Sequence, residues 1–426
     1  MGDTGTGVGI AEWRAGWKSV IVASLGISLS TAHTYSQGLF MAPLEQAFGW
    51  SRADVTAGPF LYGIISGLGV LFSGVIADRF GARRVVLPGL LLCALTMALL
   101  TLNTGSIWLW YATWLLVALP VPLITPAVWT SAIVARFTVS RGLALALALA
   151  GTGLSSAVAP QIIVRLIDAY GWRAGFAFFP LLTALFIFPL ALLMFDRTPR
   201  PAARQRTVTA PPLPAVGATV LSPAFLLLLS GSVVFAFGLI GIMGHFVPIL
   251  TERGLERTSA AAAVGVIGMC SIGGRLVTGF LLDHFNSAVV ATIAFLMPVA
   301  PVIAMINYDG SLVMAFGTSI ILGLSLGAEV DIVAYLTARY FGLRRYATYL
   351  GFIQGITALA VGAGPLVGGM IHDATGRYDI MLWGLIPIFL IGTIVILALG
   401  RLPTLAEDDG AAGDDTDPAT SAPPPI

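Results

Sequence analysis

Runs of about twenty apolar residues follow one another along almost the whole chain, and short polar segments separate them. A helix needs about 20 such residues to cross a bilayer, and helices or closed barrels are the structures that satisfy their backbone polar groups there. The pattern therefore predicts an all-α polytopic membrane protein with twelve transmembrane helices. The first six lie at about 17–41, 54–77, 85–102, 106–133, 142–166 and 174–195, and the second six at about 222–250, 258–282, 288–307, 311–337, 346–371 and 379–400.

Polar segments divide the twelve predicted helices into two sets of six. The segment 196–221 contains five prolines and four arginines, a composition that breaks helices and is typical of a linker. The pattern predicts a cytoplasmic tail over 1–16, a six-helix bundle over 17–195, a cytoplasmic linker over 196–221 and a second six-helix bundle over 222–402. The acidic, proline-rich segment 403–426 is expected to be a disordered cytoplasmic tail.

Composition supports the membrane class and argues against several others. Hydrophobic residues make up 57% of the chain and charged residues 10%, whereas soluble domains carry about 25% charged residues. The net charge of +1 gives no indication of a nucleic-acid-binding surface. Both cysteines, Cys93 and Cys270, fall in predicted helices, so no disulfide framework is indicated. No catalytic triad order, metal-ligand cluster or nucleotide motif is present in the sequence, so we expect neither an enzyme nor a cofactor.

Basic residues in the short loops predict the orientation of the helices. Loops on the cytoplasmic side of a membrane carry an excess of Lys and Arg. Arginines fall in alternate loops of this chain, so these loops and both termini are expected in the cytoplasm, with the protein in the cell (inner) membrane. The residues are Arg79, Arg83 and Arg84, Arg136 and Arg141, the four linker arginines, and Arg339, Arg344 and Arg345.

The two halves of the chain repeat each other at a nearly constant offset of 205 residues. A duplicated six-helix unit places the binding site of an alternating-access carrier between the halves, near the bilayer midplane. The matching positions are Pro43 and Pro248, Gly49 and Gly254, Arg52 and Arg257, Gly74 and Gly279, Asp78 and Asp283, Phe80 and Phe285, Pro160 and Pro365, Asp168 and Asp373, and Gly171 and Gly376.

Charged residues that occur in both halves are expected to serve the scaffold, through helix ends, loop salt bridges and gating contacts. Asp78 matches Asp283, and Arg136 matches Arg339 at an offset of 203. Arg79 lies next to Asp78 in the same loop. We therefore assign these five residues structural or gating roles.

Charged or titratable residues inside predicted helices that lack a counterpart are the functional candidates. Arg275 lies opposite Val70, and Glu329, Asp331 and His33 also fall opposite uncharged residues. A duplicated scaffold tends to be symmetrical, whereas a binding site for an asymmetric solute need not be.

Arg275 is a permanent cation within an apolar helix. Such a charge costs about 3 kcal/mol or more to insert, and Arg cannot lose its proton to escape that cost. Its planar fork can donate two parallel charge-assisted bonds to a carboxylate. Because Arg275 lies eight residues before Asp283 and Asp331 lies eight residues before Arg339, we expect Arg275 and Asp331 at similar depth. Two roles stay open, namely an anchor for a substrate carboxylate and a structural ion pair with Asp331 or Glu329.

Glu329 and Asp331 are the candidates for proton coupling. Two residues apart on a helix, they cannot share one face, so one is expected to face the cavity and the other a neighbouring helix. A carboxylic acid in a low-dielectric setting suits proton carriage. Asp331, Tyr335 and Arg339 recur at intervals of four and are expected to form an inner gate network. A purely structural role for each acid is the alternative.

Polar residues in the first predicted helix form one stripe, which should face a cavity or another helix rather than lipid. Ser30, His33 and Gln37 recur at i, i+3 and i+7. His33 is of particular interest because imidazole titrates near neutral pH in water. We assign Ser30, His33 and Gln37 to substrate contact, together with Ser271 one turn before Arg275. An interhelical hydrogen bond is the alternative for His33.

The stretch from Gly74 to Arg84, GVIADRFGARR, closely resembles the loop signature of the major facilitator superfamily between its second and third helices. The stretch 279–286, GFLLDHFN, resembles a degraded copy at the equivalent place in the second half. The resemblance covers about residues 17–402. It implies two pseudo-symmetric six-helix bundles and transport by alternating access.

Three further stretches resemble the monocarboxylate transporter family and its bacterial relatives, which include an oxalate/formate exchanger. They are Phe48–Val55 after the first helix, Arg141–Thr152 in the fifth, and Arg275, which falls where that family places its substrate-binding arginine. The sequence also departs from the family. The first-helix signature of acidic, small and aromatic residues survives only partly, as Glu12, Gly16 and Trp17. Ser271 replaces the aspartate of animal members, and 346–371 contains no lysine. The resemblance implies that Arg275 binds the carboxylate.

The residues and the resemblance together predict a secondary transporter for small organic anions, most simply a proton-coupled monocarboxylate symporter that works as a monomer. The expected partners are a small carboxylate, a proton and the lipid bilayer. Anion exchange, efflux of a larger amphiphilic acid, and a membrane sensor that binds without transport are the alternatives.

Overall fold

The computed structural model describes residues 3–137, 140–195, 219–341 and 346–400, and within these ranges the regular elements are helices. Most of the predicted linker and the whole of the predicted tail over 403–426 lie outside the described residues, so both stay predictions.

The described residues of the first half form nine helices, several of which pair up to make one crossing. They are α1 (Asp3–Phe48), α2 (Arg52–Phe80), α3 (Ala82–Leu100), α4 (Ile107–Ala118), α5 (Pro126–Arg136), α6 (Arg141–Leu149), α7 (Gly151–Tyr170), α8 (Trp172–Leu182) and α9 (Phe188–Met194).

The part of the second half that the structure describes forms seven helices in the same order of crossings. They are α10 (Pro223–Glu252), α11 (Arg257–His284), α12 (Ser287–Leu296), α13 (Val299–Ile306), α14 (Leu312–Phe341), α15 (Tyr346–Thr375) and α16 (Asp379–Leu397). Arg275 therefore lies in α11, the predicted eighth crossing, and Asp331 lies in α14, the predicted tenth.

Eleven helical stretches among the described residues are long and apolar enough to cross a membrane. The twelfth predicted crossing lies in α1, whose serines, threonines, His33 and Gln37 make it more polar than the others. This helix nevertheless runs through the bundle like the other crossings, because Gly16 packs on Phe137 at one end and Gly38 packs on Pro248 near the other. The all-α fold with two six-helix bundles is confirmed.

The predicted first helix, 17–41, is too short. α1 begins at Asp3 and continues to Phe48. Its early turns are held by packing on the end of α5, where the rings of Trp13 and Phe137 are 5.2 Å apart, and by Glu12, which accepts a hydrogen bond from the Ser140 amide at 3.1 Å. The segment assigned to a tail over 1–16 is therefore helical from Asp3 onward.

Four crossings that the sequence predicts as single helices are interrupted. The span 106–133 breaks at a 3₁₀ turn, Val121–Leu123, between Pro120 and Pro126, because proline removes a backbone donor and clashes with the preceding turn. The span 288–307 breaks in the same way before Val299, at Pro298. The span 142–166 changes helix at Ala150, and the span 174–195 contains a π-helical turn at Thr183–Ile187.

Contacts at the helix ends identify one side of the bundle in each half. Arg83 donates hydrogen bonds to the carbonyls of Leu192 and Phe195 at the end of α9. In the second half, the Tyr340 hydroxyl donates to the Leu399 carbonyl beyond α16 at 3.0 Å. We call this side of the bundle the Arg83 end. The opposite side, which contains the start of α2, is the Arg52 end.

The two halves meet at the Arg52 end through two antiparallel helix pairs, α7 with α11 and α2 with α15. At this end an added Cβ at Gly369 would lie 2.9 Å from the backbone of Arg52 and Ala53. Close contact continues to mid-helix, where Cβ atoms at Gly153 and Gly67 would lie 2.3 Å from Ile272 and 2.9 Å from Ala358. One turn beyond Ile272, Leu276 on the same face is 68% exposed. The halves are therefore closed together at the Arg52 end and separate towards the Arg83 end.

Gly327 offers a test of the packing that holds α11 against α14. A Cβ at this position would lie 2.1 Å from the Ser271 carbonyl oxygen, so Gly327→Ala must push the helices apart. Overpacking of this kind costs about 1–3 kcal/mol, and we expect a lower thermal unfolding midpoint in detergent.

Gly317→Ala in the same helix is the matched control. No atom lies within 4 Å of its added Cβ, and alanine favours a helix over glycine by about 1 kcal/mol. A midpoint for Gly327→Ala as high as that of the control would contradict the close approach.

Candidate functional site

Arg275 and Asp331 lie at the same depth and face each other, as the residue spacing predicts. The Arg275 Nη1 atom is 4.0 Å from the Asp331 Oδ1 atom, and the two side chains are 29% and 33% exposed. This separation is within ion-pair range but beyond hydrogen-bonding distance. Partly exposed pairs of this kind contribute about 0–1 kcal/mol. Asp331 therefore compensates the charge of Arg275 without occupying its guanidinium fork.

Glycines determine how closely the two helices that carry this pair approach. Added Cβ atoms at Gly274 and Gly323 would lie 2.4 Å from the Leu324 carbonyl and 2.3 Å from the Ile267 carbonyl. Small residues at a helix interface let two backbones approach in this way. Because α11 and α14 are in backbone contact, the two charged side chains must leave the interface at its edge, where solvent reaches them.

Arg275 lies where the two halves face each other. Its charge acts on the Tyr35 hydroxyl of α1, in the first half, as well as on Glu329 and Asp331 in the second. Among the described residues, Asp331 is the single acidic side chain within 4.0 Å of the guanidinium. A solute between the halves could therefore reach the free N–H groups of Arg275.

Glu329 and Asp331 point in different directions, as their spacing requires. Asp331 faces Arg275, whereas Glu329 lines a cavity of about 290 Å³ between α10, α14 and α15. Nine of the thirteen lining residues are apolar, and Gln354 and Thr357 are polar neighbours of the acid. No hydrogen bond or ion pair within the described residues satisfies the Glu329 carboxyl.

The four predicted substrate contacts other than Arg275 all lie inside the first bundle or hydrogen-bond to their own helix. The Ser271 and Ser30 hydroxyls donate to the carbonyls of Gly268 and Ile27, at 2.7 and 2.8 Å. Ser271 is buried against α14. These two side chains are placed by helix packing, and their role in substrate contact stays a prediction.

His33 lies in the interior of the first bundle. Its ring packs edge-on against Tyr62 at 4.8 Å and is 6.0 Å from the ring of Trp114. The Thr34 hydroxyl is 3.4 Å from its Nε2 atom. These contacts pack the ring against neighbouring helices, but its hydrogen-bond partner Thr34 lies on its own helix, so substrate contact and an interhelical hydrogen bond both stay predictions.

Gln37 is the fourth predicted contact and shares a small apolar cavity with His33. Its Nε2 atom is buried and has no hydrogen-bond partner within the described residues. An unsatisfied amide of this kind costs about 1–3 kcal/mol, so Gln37 has a donor to offer when its surroundings rearrange.

The predicted gating residues lie at the Arg83 end, and most of them make local contacts. Arg339 packs over the Tyr335 ring at 5.9 Å, Arg79 packs over Phe80 at 5.4 Å and is exposed, and Arg136 packs beside Gly16. The side chains of Asp78 and Asp283 lie outside the described residues. A shared gate among these groups stays a prediction.

Four repeated charges at the Arg52 end form contacts that residue-by-residue reading of the sequence missed. The Asp373 carboxylate accepts hydrogen bonds from the backbone amides of Arg52 and Ala53 at 2.9 and 2.7 Å, and so caps α2 from the other half. Arg257 donates to Asp168 at 2.9 Å, again across the halves. Because Arg52 matches Arg257 and Asp168 matches Asp373 in the repeat, the two contacts are related by the pseudo-symmetry, which is the signal that could have identified them.

α2 also carries a cap within its own half. The Ser51 hydroxyl accepts a hydrogen bond from the Asp54 amide, and the Asp54 carboxylate accepts one from the Ser51 amide, at 3.1 and 3.2 Å. This capping box and Asp373 together satisfy the first amides of the helix.

No group of three or more His, Cys, Asp or Glu side chains in the described part of the chain has the arrangement of a metal site.

Comparisons with known proteins agree with this architecture. The sequence profile of the Major Facilitator Superfamily matches residues 23–360. Monocarboxylate transporter 11 of Homo sapiens is 26% identical over 404 residues, covering 91% of this chain and 83% of that protein. The uncharacterized MFS-type transporter YhjX of Escherichia coli (strain K12) is 25% identical over 80% of this chain and 85% of its own length. The resemblance to monocarboxylate transporters predicted from the sequence is confirmed at this low identity.

Solved structures share the fold at lower identity. A variant of the nucleoside transporter NupG has a TM-score of 0.74 and 13% identity, covering 90% of this chain and 99% of its own. A bacterial homologue of the human lysosomal transporter Spinster, in an inward-facing and occupied conformation, has a TM-score of 0.61 and 16% identity, covering 90% of this chain and 92% of its own.

The position of His33 generates a test of its role. His33→Ala removes a ring packed on Tyr62 and Trp114, and we expect a loss of about 1–3 kcal/mol in stability, seen as a lower unfolding midpoint. The exposed His284 is the matched control, because His284→Ala leaves no buried cavity. An unchanged midpoint for His33→Ala would contradict the packing role.

Proposed function

The chain belongs to the major facilitator superfamily, and we propose that it carries organic monocarboxylates across the membrane together with protons. It is an integral membrane transporter, related at low identity to monocarboxylate transporters. The observation that carries the finer proposal is Arg275, a permanent cation between the halves whose guanidinium fork is left open by its 4.0 Å contact with Asp331.

A carboxylate can replace Asp331 on Arg275 at a net gain. The present contact contributes about 0–1 kcal/mol, whereas a hydrogen bond to a charged group contributes about 1.5–3 kcal/mol and a carboxylate can accept two in parallel. Tyr35 of the first half, on which the charge of Arg275 acts, offers an aromatic neighbour to the uncharged body of a monocarboxylate.

Glu329 supports coupling to a proton. A carboxylate without a partner is expensive in apolar surroundings, and one proton removes the charge. Moving one anion against an inside-negative potential costs about 2.3 kcal/mol per 100 mV, and a co-transported proton cancels that cost. An acid beside the site, facing a cavity of about 290 Å³, is placed to supply this proton.

The arrangement of the halves supports alternating access. Halves that meet at one end and separate at the other represent one of the two states that such a carrier must visit. With the arginine-rich loops in the cytoplasm, as the positive-inside rule requires, this state is open to the cytoplasm and the Arg52 end faces outward.

Uptake into proteoliposomes tests the proposal. We expect labelled monocarboxylates to accumulate when the outside is made acidic, and dicarboxylates to be carried less well. Uptake that needs a second anion inside the vesicles, and no pH gradient, would show that the protein is an anion exchanger and not a symporter. Substrate binding without flux would show that it is a sensor and not a transporter.

Arg275→Lys tests carboxylate anchoring. Lysine keeps the charge but loses the fork, and the loss of one charge-assisted bond, about 1.5–3 kcal/mol, corresponds to at least a tenfold fall in apparent affinity. The measurement is the substrate dependence of uptake in proteoliposomes. Arg377→Lys, at an exposed arginine near the start of α16, is the matched control. Near-normal uptake by Arg275→Lys in folded protein would reject the anchor.

Glu329→Gln and Asp331→Asn test the proton route. Each change removes a titratable group without changing side-chain size, and we expect at least one variant to lose pH-driven accumulation while retaining downhill exchange of substrate. The readout is uptake with and without an imposed pH gradient. Full pH-driven accumulation by both variants would place the coupling proton elsewhere.

A further inference from the structure

A network of ionisable side chains from both halves closes the Arg52 end. Arg52 is 8% exposed. Its Nε atom donates to Glu45 of its own half at 2.7 Å, its Nη2 atom is 2.5 Å from the Glu252 Oε1 atom of the other half, and its Nη1 atom donates to the Tyr378 hydroxyl. Arg52 is thus the cation that joins a carboxylate of the first half to a carboxylate of the second.

His372 contacts the same atom of Glu252. Its Nε2 atom is 3.3 Å from the Glu252 Oε1 atom. His372 and Glu252 both belong to the second half, on α15 and α10. Glu252 Oε1 therefore has two potential cationic partners, Arg52 across the interface and His372 within its own half.

His245, the other histidine of the network, is held neutral by its hydrogen bonds. Its Nε2 atom is 2.7 Å from the Pro365 carbonyl, which can only accept, so Nε2 donates. Its Nδ1 atom is 2.8 Å from the Tyr378 hydroxyl, and burial raises the pKa of Tyr378, so that hydroxyl keeps its proton and donates to Nδ1. With both ring nitrogens of His245 engaged, His372 is the histidine of this network that is open to a further proton.

We propose that His372 and Glu252 form a proton-binding site whose occupation releases the Arg52 end. A proton on His372 places a second cation next to Arg52 on one carboxylate oxygen. It also gives each half an internal ion pair, Arg52 with Glu45 in the first and His372 with Glu252 in the second. The halves can then separate without leaving Arg52 or Glu252 unpaired, and an unpaired charge is the main cost of breaking a buried ion pair.

Charged groups of both signs surround the His372–Glu252 pair. Glu45 on α1, Arg52 on α2 and Asp373 on α15 are the charges that act on His372 besides Glu252. Asp373 is engaged with the amides of α2. Arg257 lines the same cavity of about 350 Å³ as Glu252 but is paired with Asp168.

The second contact related by the pseudo-symmetry has no such site. In the repeat, Ile167 takes the place of His372 and Ala47 takes the place of Glu252. The Arg257–Asp168 pair, 2.9 Å apart, is therefore a contact across the halves in which no histidine at the matching position competes with the arginine for the carboxylate. The proton-binding site thus occurs on one of the two related contacts, as expected of a functional group rather than of the duplicated scaffold.

The inference rests on the alternating access that the proposed function requires, but not on the identity of the substrate. It is tested without substrate. The two native cysteines are first removed by Cys93→Ala and Cys270→Ala. Spin labels are then attached at Thr104→Cys and Asn307→Cys, which lie on exposed loops of the two halves at the Arg52 end, and report the distance between these loops. Pulsed electron paramagnetic resonance in lipid nanodiscs gives the distance distribution as a function of pH.

We expect a longer-distance population that grows as the pH is lowered from neutral, because protonation of the imidazole supplies the second cation. One linked proton changes the ratio of the two populations by up to about tenfold per pH unit. His372→Gln keeps a hydrogen-bond donor but no charge, and should abolish the pH dependence. Glu252→Gln should favour the longer distance at neutral and at lower pH. His284→Gln, at the Arg83 end, and Asp168→Asn, on the uncoupled contact, should both retain the pH dependence.

A pH-independent distance in the parent protein, or an unchanged pH dependence in His372→Gln, would overturn the proposal. The result is separable from the proposed function. A pH-dependent opening without carboxylate uptake would reject the proposed substrate and retain the proton-binding site. Carboxylate uptake without pH-dependent opening would reject the proton-binding site and retain the proposed substrate.

Discussion

The cost of an unpaired charge in a low-dielectric bundle is the constraint on which this structure depends. Two arginines show two responses to it. Arg52 is almost fully buried and is bonded by Glu45, Glu252 and Tyr378, so its charge is compensated at short range. Arg275 is partly exposed and has a single acidic partner at 4.0 Å. The first arrangement holds two halves together, whereas the second leaves a cation available to a solute.

Residue spacing was enough to predict much of the fold and part of the site. The twelve crossings follow from apolar run length, and the equal depth of Arg275 and Asp331 follows from counting back from Asp283 and Arg339 along two helices that run in the same direction. The opposite facing of Glu329 and Asp331 follows from the helical period. Each of these inferences uses distance along a helix axis or rotation about it, which the sequence encodes directly.

Contacts between helices could not be predicted in the same way. His33 and Gln37 share a stripe, but sequence does not tell whether that stripe faces the space between the halves or the interior of one bundle. The breaks near Pro120 and Pro298 depend on how neighbouring helices satisfy the freed carbonyls. The repeat matched Arg52 with Arg257 and Asp168 with Asp373, yet their pairing across the interface appears only when the pseudo-symmetry axis is placed in three dimensions.

The cap that Asp373 provides to α2 has a mechanical consequence. It is a removable second cap, because the Ser51 and Asp54 capping box stays with α2 when the halves part. The first turn of α2 therefore need not fray when Asp373 withdraws, and the loss is limited to a charge–dipole interaction of about 0.3–1 kcal/mol. In the proposed transport cycle, α2 can therefore separate from α15 and rejoin it without unfolding and refolding its first turn.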